Sequence, residues 1–493
     1  MAVLALAVSL IAPLLAAAGS LAFRESWRRS RLALNAAAAV ATAAAVGALT
    51  VRAAGGTPAG VRAEILPGVV MGLRADLAGA LFATMTSVLW VVTAVYAHGY
   101  MRNRQSQGRF FGFFALAIFS ALGVAFAADM LTLFVFFEVL SLATYPLVTH
   151  DGSPEARSAG ARYLVYALGG GTALLLGVAG LRAIAPGESF VAGGHLAAAG
   201  TAVPALRAVF ALLVAGFGVK AALVPLHGWL PRAMVAPAPV SALLHAVAVV
   251  KSGVFGIVRV VHFVYGPDLA ARIGGTPVLA AVAAVTVLFG AAMAITRDDL
   301  KARLAYSTIS QLSYIVLGLS LPNAVALAGA LGHIVHHGVM KIVLFFWAGA
   351  LYEELKVKRV SQLDGTARRM PLTTLAAVSA ALGLAGIPPL AGFVTKWLMG
   401  KGATTAGSAW ATLVYAGAGA LAVAYAWPLV TRPFRRPDAE RPRRDRFEGD
   451  PWLVVPVAVA AVLALALAAT AGADAMPLDI AGRVAFDVFW RGR

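Results

Sequence analysis

Residues 216–253 read GFGVKAALVPLHGWLPRAMVAPAPVSALLHAVAVVKSG, which is two mostly apolar segments joined by a Pro-rich bend. Each segment carries a lysine inside its apolar run: Lys220, five residues before Pro225, and Lys251, six residues after His245. Proline lacks a backbone N–H, so Pro225 is expected to break or kink its helix. A charge at the centre of a membrane costs roughly 2.5–3.5 kcal/mol on insertion scales, so lysines at such positions indicate function.

The composition is that of a membrane protein. Of the 493 residues, 60% are hydrophobic and only 13% are charged, whereas soluble domains carry about 25% charged residues. Cysteine is absent, which excludes disulfides, thiolate iron–sulfur clusters and thiolate metal sites. Any redox chemistry is therefore expected in a partner, and the prediction for this chain is no cofactor and no metal.

About fourteen segments have the length and hydropathy of membrane spans, so the predicted fold class is an all-α polytopic membrane protein. The first span is expected to be a retained helix, because it lacks a convincing small-residue cleavage site. The tail after residue 472 has at best a weak amphipathic pattern. The approximate limits of the spans are 2–23, 32–51, 77–97, 111–127, 129–149, 163–184, 207–229, 236–264, 277–296, 304–321, 324–351, 371–400, 409–430 and 452–471.

The loops between these spans alternate in charge. Most of the 40 Lys and Arg residues lie in the odd-numbered loops. By the positive-inside rule these loops face the cytoplasm and both termini face outward, with the chain in the cell inner (plasma) membrane. A net charge of +18 would suggest nucleic acid in a soluble protein. In a membrane protein the topology accounts for it, so no nucleic-acid partner is expected.

A short sequence echo indicates an internal repeat. The segment PLHGW at 225–229 recurs as PLAGF at 389–393, and both copies interrupt a long apolar segment. The second break is expected at Pro388 and Pro389. Paired Pro/Gly-interrupted segments point to a transport pathway built from inverted repeats. We therefore predict two inverted repeats, each containing a broken helix.

Glu138 is the one acidic residue near the centre of a predicted span. It lies nine residues after Asp129, about 13 Å along a helix, so it cannot easily reach water. Burial disfavours the charged form of a carboxyl or an amine, and a neighbouring opposite charge favours it. At about 5 Å and an effective dielectric near 20, a Glu–Lys pair interacts by roughly 3 kcal/mol, so making or breaking the pair can move a proton.

Five basic residues fall inside predicted spans away from the first and last three residues, and they are Lys220, Lys251, Arg259, Lys341 and Lys396. Arg259 lies near a helix end and is expected to extend to the interface. His333, His337 and Lys341 are spaced i, i+4, i+8 and share one helical face. The two histidines could bind a metal or haem, but a lysine in the third position favours proton hopping. The depth of Lys396, just beyond the second break, stays open on these grounds.

The chain resembles the antiporter-like proton-translocating subunits of respiratory complex I, which are shared with Mrp-type cation/proton antiporters and membrane-bound hydrogenases. The resemblance covers roughly residues 110–400. It rests on LFVFFEVLSLATYPL (133–147), FGVKAALVPLHGWLPRAMVAPAPVSALLH (217–245), DDLKARLAYSTISQLSYI (298–315), HIVHHGVMKIVLFFWAG (333–349) and GIPPLAGFVTKW (386–397).

That resemblance implies fourteen helices with two inverted repeats, at about 110–265 and 277–400. Residues 1–109 and 401–493 would be flanking helices, the latter with a short tail. The family's functional positions match Glu138, Lys220, His245, Lys251, His333, His337 and Lys396 of this sequence. One departure is Arg232, where the family commonly has an acidic residue after WLP. Another is the absence of the long lateral helix of the largest complex I member.

The function expected is proton translocation by a membrane subunit without catalysis of its own, coupled to a redox partner or to cation exchange. The partners would be other membrane subunits, protons, possibly Na⁺, and lipid. The driving partner could be a quinone-linked dehydrogenase, a hydrogenase, an Mrp-type assembly or an inorganic-carbon uptake complex. Two other classes stay open: a stand-alone solute carrier, and a haem or metal enzyme of the membrane.

Overall fold

The computed structural model describes residues 1–186, 189–196, 202–436 and 447–491, and these are mostly helical. A two-stranded antiparallel hairpin, β1 (Gly60–Leu66) and β2 (Val69–Arg74), separates the second and third helices. The helices of the first half are α1 (Ala2–Ala22), α2 (Arg28–Ala54), α3 (Leu77–Met101), α4 (Gln107–Phe126), α5 (Met130–Val148), α6 (Pro154–Ile184), α7 (Val203–Lys220), α8 (Ala238–Ala242) and α9 (Val249–Val258).

The second half of the chain is also helical. Two π-helical turns, Leu243–Val247 and Arg259–Tyr265, flank α9, so the predicted span 236–264 is one irregular helix. The remaining helices are α10 (Pro267–Arg272), α11 (Gly275–Thr296), α12 (Leu300–Leu319), α13 (Ala324–Leu355), α14 (Pro371–Ala385), α15 (Ala391–Thr405), α16 (Ala409–Thr431), α17 (Pro451–Ala469) and α18 (Pro477–Phe486).

Twelve helices in the described residues are long and apolar enough to cross a membrane. The predicted span 304–321 corresponds to α12, which is more polar than these twelve. The predicted span 371–400 is divided between α14 and α15, two helices of 15 residues each. The exact count of fourteen crossings and the inverted repeats stay predictions.

The odd-numbered loops lie together at one end of the bundle, which we call the basic-loop end. Polar contacts join six of these seven loops to others of the set, and the seventh, residues 230–235, helps to line a cavity among them. The contacts are Arg28 with Arg102, Arg104 with Glu353, Arg109 with His150, Asp298 with Ser361 and Arg432 with Asp364. The hairpin and the even-numbered loops meet at the opposite end. There the Ala128 amide donates a hydrogen bond to the Gly72 carbonyl, and the Asn323 side chain donates one to the Thr405 hydroxyl.

The centre of the bundle is α13. All of the most apolar part of α13 is buried, whereas in α1, α16 and α17 about two thirds of that part is at least partly exposed. The exposed side chains of these outer helices include Leu4, Leu413 and Val462. An apolar surface of this kind suits a lipid environment, and a fully buried central helix is the place where polar residues need partners.

The first broken helix differs from its predicted limits, because α7 ends at Lys220 and does not run on to residue 229. Residues 221–231 form turns around Pro225. The carbonyl of Val219 accepts a hydrogen bond from the Trp229 indole (2.7 Å), and the Val224 amide donates to Thr286 (3.1 Å). These side chains satisfy backbone groups that the break frees, as a non-helical segment inside a membrane requires.

Two segments outside the core correct the sequence interpretation. Residues 52–76, predicted only as a connection between two spans, contain the β-hairpin. The tail, read as weakly amphipathic at best, forms α18, which packs on α3 and α13. Its apolar side is buried, including Ile480 and Val484. Leu478 lies against Gly332, beside the predicted site residue His333.

Candidate functional site

Glu138 lies on α5, a helix whose first turn is capped by the Asp129 carboxylate (2.8 Å to the Thr132 amide). Its carboxylate packs against Gly171 of α6, where an added Cβ would come within 2.9 Å of it. Its Oε1 atom is buried and accepts no hydrogen bond from the described residues. An unsatisfied carboxylate oxygen in a membrane interior is costly, so this group is prepared to take up a proton or a polar partner.

Lys220, the last residue of α7, lies next to this carboxylate without pairing with it directly. Its Nζ donates to the Phe137 carbonyl at 2.5 Å and lies 3.6 Å from the centroid of the Phe137 ring. No carboxylate oxygen of the described residues is within 4.0 Å of Nζ, so Glu138 and Lys220 do not form a direct ion pair. Lys220 therefore contacts Phe137, the residue before Glu138, and not the Glu138 carboxylate itself.

Lys251 lies on α9, immediately after a π-helical turn that contains His245. Its Nζ donates to the His245 carbonyl (2.6 Å) and contacts Nδ1 of His337 on α13 (2.9 Å). The His245 ring stacks on Phe345, with 4.8 Å between centroids. Neither ring nitrogen of His245 has a hydrogen-bond partner among the described residues. Lys251 therefore links the irregular helix to α13.

The three residues predicted to share a face of α13 do so. The rings of His333 and His337 are stacked, 5.8 Å apart and 24° from parallel. One turn further along α13, the Nζ of Lys341 donates to the Leu304 carbonyl (2.8 Å) and to the Ser307 hydroxyl (2.5 Å). All three side chains are fully buried.

The second break joins this row through Thr395. The His333 Nδ1 contacts the Thr395 hydroxyl at 2.7 Å, and its Nε2 contacts the Gln311 amide oxygen at 3.0 Å. Lys396, the next residue on α15, reaches back across the break to donate to the Leu384 carbonyl (2.7 Å). Its Nζ lies 4.6 Å from the Tyr314 ring centroid. The break follows α14, as predicted from Pro388 and Pro389.

The predicted residues thus form two groups that meet where α7 and α9 touch. Glu138 and Lys220 form one group, and the other runs from His245 and Lys251 along α13 to Lys396. Gly253 permits the contact, because a Cβ there would lie 2.4 Å from the Ala221 amide. No hydrogen bond between the side chains of Lys220 and Lys251 connects the groups within the described part of the chain.

Several participating residues were not among those predicted. Ser307, Gln311 and Tyr314 on α12 contact Lys341, His333 and Lys396 respectively, and they are spaced i, i+4, i+7. That spacing on one face of an apolar helix is a signal that sequence inspection could have used. Thr395 and the aromatic ring of Phe137 carry no such signal, since hydroxyl and aromatic residues are common in membrane helices.

Lys301 is a further unpredicted residue, counted with the loops because it lies near the start of α12. Its Nζ donates to the Ala236 carbonyl (2.5 Å) and to the Ser241 hydroxyl (3.3 Å). It forms part of the wall of a cavity of about 630 Å³ that lies between the odd-numbered loops. The other charged residues in that wall are Arg104, Asp151, Glu155, Arg232, Asp299 and Lys358.

Arg259 corrects one prediction. It was expected to extend to the interface, but its side chain is 0% exposed and paired with Asp76 at 2.6 Å. Its guanidinium also lies against three phenylalanine rings, each 4.7–4.8 Å from its central carbon. Arg259 is therefore a structural link between α3 and the irregular helix, and does not belong to the row of lysines and histidines.

The donor set does not resemble a metal site. No cluster of three or more His, Asp or Glu residues suited to a metal ion occurs within residues 1–186, 189–196, 202–436 and 447–491. Both ring nitrogens of His333 are already hydrogen-bonded. Alternating amines, imidazoles and hydroxyls can each accept and donate protons, which is the chemistry of a proton relay.

The chain is similar to known membrane proteins in sequence and in structure. The family model described as NADH:quinone oxidoreductase/Mrp antiporter, TM, matches residues 127–422. NADH-quinone oxidoreductase subunit N of Desulforudis audaxviator is 37% identical over 406 residues, which cover 78% of each chain. The probable K(+)/H(+) antiporter A/B subunit of Rhizobium meliloti is 35% identical over 333 residues, which cover 67% of this chain but 32% of that relative.

Among solved structures, a chain of the Mrp complex from a Dietzia species superposes with a TM-score of 0.86 at 25% identity. The match covers 99% of this chain and 98% of that one. The predicted all-α polytopic membrane fold and the predicted resemblance are both confirmed.

Proposed function

The chain belongs to the NADH:quinone oxidoreductase/Mrp antiporter family, and from that premise we propose that its buried ionisable side chains carry protons across the membrane. It is an antiporter-like membrane subunit, as its relatives and structural neighbours are. The residues proposed to carry the protons are Glu138, Lys220, His245, Lys251, His333, His337, Lys341 and Lys396.

The observation that carries this proposal is the contact between Lys251 and His337. It joins two amine- and imidazole-bearing helices at 2.9 Å in a fully buried place. A lysine ammonium can give its proton to the imidazole lone pair, and the resulting imidazolium can release a proton from its other nitrogen. The His337 Nε2 has no hydrogen-bond partner among the described residues, so a water could receive that proton.

The route proposed from these contacts begins at the basic-loop end. The cavity beside Lys301 would admit protons toward Ser241 and His245, which lie one turn apart on the irregular helix. From there Lys251 and His337 lead to His333 and Lys396, with Lys341 one turn from His337 on α13. Glu138 and Lys220 would exchange protons with this row where α7 touches α9. The basic-loop end would face the cytoplasm, with both termini outward, because positively charged loops are retained on the cytoplasmic side.

The chain is proposed to work inside a multisubunit complex of the plasma membrane. The Mrp structure supports this assignment, since that neighbour is a complex. The energy source would be a redox partner, as the name of the Desulforudis relative indicates, or exchange with a cation, as the name of the Rhizobium relative indicates. The protein would hold no cofactor of its own and would act on protons, with Na⁺ as a further candidate ion.

Replacement of Glu138 by Gln tests the proposal. Glutamine keeps the shape of the side chain beside Gly171 but cannot hold or release a proton. We expect Glu138→Gln to reduce proton transport at least about tenfold while the complex still assembles. Asp474→Asn, at an exposed site between α17 and α18, is the matched control.

The measurement is proton movement across vesicles that contain the assembled complex, followed with a pH-sensitive dye. Transport by Glu138→Gln at the wild-type rate would contradict the proposed function.

A further inference from the structure

A hydrogen-bonded network of four buried side chains connects α16, α12, α13 and α15. The Gln311 Nε2 donates to the Tyr425 hydroxyl at 3.1 Å, and the Gln311 Oε1 contacts the His333 Nε2 at 3.0 Å. On its other side the His333 ring contacts the Thr395 hydroxyl at 2.7 Å. Tyr425 is 1% exposed and the other three are 0% exposed, so no member can exchange its partners for bulk water.

One arrangement of hydrogens places the His333 proton on Nε2. The amide oxygen of Gln311 then accepts from Nε2–H, and its NH₂ group donates to Tyr425. A neutral imidazole with a proton on Nε2 has its lone pair on Nδ1. That lone pair accepts the hydrogen of the Thr395 hydroxyl.

The same heavy-atom positions also satisfy the reverse arrangement. Rotation of the Gln311 amide by half a turn exchanges its oxygen and nitrogen, which have nearly the same shape. Tyr425 then donates to the amide oxygen, and the NH₂ group donates to the bare Nε2 of His333. The proton of His333 is now on Nδ1 and is donated to Thr395, whose own hydroxyl hydrogen points to the Gly392 carbonyl at 3.3 Å.

We propose that Tyr425, Gln311 and Thr395 are positioning residues that switch His333 between its two neutral tautomers and so decide which ring nitrogen takes up a proton. The inference rests on the proposed function, because it assigns a direction to proton transfer by His333. When the proton is on Nδ1, His333 can release it to the α15 side, where Lys396 lies. When the lone pair is on Nδ1, His333 has no proton to release to that side.

The transfer step is balanced. With the proton of His333 on Nδ1, the bare Nε2 takes up a proton that originates from the neighbouring His337, and the Gln311 amide turns its oxygen to this new N–H. The imidazolium then gives its Nδ1 proton to the Thr395 hydroxyl oxygen, and the hydroxyl passes its own hydrogen through intervening water to the neutral amine of Lys396. Thr395 is unchanged at the end, His333 is neutral with its proton on Nε2, and Lys396 becomes an ammonium. A hydroxyl at position 395 is needed for this transfer and for the reverse arrangement, whereas the methyl group of Thr395 is needed for neither.

The first experiment compares Thr395→Val with Thr395→Ser in the assembled complex. Valine has the shape of threonine but no hydroxyl, and serine keeps the hydroxyl but loses the methyl group. We expect proton transport to fall at least about tenfold in Thr395→Val and to stay within about twofold of the wild type in Thr395→Ser. A residue that only packs α15 against α13 would give the opposite order, and that order would overturn the proposal.

The second experiment observes the tautomers themselves. Solid-state NMR of the ¹⁵N-histidine-labelled complex in lipid distinguishes a protonated from a bare ring nitrogen. The His333 signals are identified by their loss in His333→Asn. We expect both neutral tautomers in the wild type and in Thr395→Ser. In Thr395→Val we expect only the Nε2-protonated form, because Nδ1–H would have no acceptor.

A single tautomer in the wild type, or the same mixture in the valine and serine variants, would overturn the switch. This readout needs no transport, so it separates the two ideas. The proposed function is judged by Glu138→Gln, and the switch is judged by the tautomers.

Discussion

Each of the four lysines of the core has the same kind of hydrogen-bond partner. A buried ammonium needs a partner, and in every case the partner includes a backbone carbonyl. The pairs are Lys220 with Phe137, Lys251 with His245, Lys341 with Leu304 and Lys396 with Leu384. No carboxylate oxygen of the described residues lies within 4.0 Å of any of these four amines.

The choice of a carbonyl has a chemical consequence. A carboxylate at contact distance would strongly favour the charged amine, whereas a carbonyl accepts a hydrogen bond from a neutral amine as well. The lysine can therefore lose its proton without leaving a buried partner unsatisfied. This is the property that a proton-carrying lysine needs and a purely structural one does not.

A substitution at Lys251 tests this argument. Arginine keeps a positive charge and hydrogen-bond donors for His245 and His337, but it does not release its proton in a protein. We expect Lys251→Arg to lose proton transport at least about tenfold, as Lys251→Met should. Lys401→Arg, at an exposed position, is the control.

The measurement is again dye-detected transport by the assembled complex at equal expression. Full turnover of Lys251→Arg would mean that Lys251 acts only as a fixed charge.

The sequence identifies residues of one kind better than another. Lys251, His337 and Glu138 are evident because ionisable side chains are rare in apolar segments. Thr395 was missed because its importance comes from the packing of α15 against α13, which no local pattern encodes. Gln311, by contrast, belongs to a polar face of α12 that its spacing from Ser307 and Tyr314 could have revealed. Arg259 was misjudged because its position near a helix end is compatible with an interface or with a buried ion pair.

At the scale of elements, the packing of α5 against α6 determines the position of the Glu138 carboxylate. Gly171 of α6 leaves room for it, and an alanine there would bring a methyl group to 2.9 Å from the carboxylate atoms. Gly169, two residues earlier on the same helix, faces outward, so a methyl group added there would meet no neighbouring atom within 4 Å. The two glycines therefore make a matched pair.

We expect Gly171→Ala to displace the carboxylate and to reduce proton transport at least about tenfold. Gly169→Ala should transport normally, since it gains only helix propensity, about 1 kcal/mol. Both variants are measured for transport and for the amount of assembled complex. Equal transport in both would contradict the assigned position of Glu138.

The pair of Arg259 and Asp76 fastens the irregular helix to α3. Asp76→Asn would leave a fully buried guanidinium without a counter-charge, and removal of one partner of a buried pair typically costs about 3–5 kcal/mol. Asparagine still caps α3, so loss of the cap does not contribute. We expect the midpoint of heat-induced unfolding to fall by several degrees.

The control is Asp479→Asn, whose partner Arg483 is largely exposed. A surface pair contributes about 0–1 kcal/mol, so this variant should unfold near the wild-type temperature. The same shift in both variants would contradict a structural role for the buried pair.

Element limits were predictable where a single signal dominates. Pro225 was expected to interrupt its helix, and the regular helix ends five residues earlier because Trp229 and Thr286 replace helical hydrogen bonds with side-chain ones. The β-hairpin was missed because its strands, of seven and six residues, are too short to stand out in a search for membrane spans. The packing of α18 was missed because its partner surface belongs to helices more than 100 residues away.

At the scale of the whole molecule, the distribution of charged residues predicts the orientation of the bundle in the membrane. The odd-numbered loops gather at one end and hold most of the basic residues, and the cavity beside Lys301 opens among them. If that end faces the cytoplasm, the cavity admits cytoplasmic protons, and Lys396 lies toward the route by which they leave. An inverted chain would exchange entrance and exit, so orientation is part of the mechanism.

The absence of cysteine from the chain makes the orientation directly measurable. Gln105→Cys places one thiol at the basic-loop end, and Asp474→Cys places one at the opposite end, both at exposed positions. A thiol reagent that cannot cross the membrane should label Gln105→Cys only in inverted vesicles and Asp474→Cys only in intact cells, because positively charged loops stay on the cytoplasmic side. The wild-type complex, treated in the same way, gives the background of its other subunits. The reverse labelling would invert the proposed direction of the route, and labelling of both thiols from one side would contradict the separation of the loops into two ends.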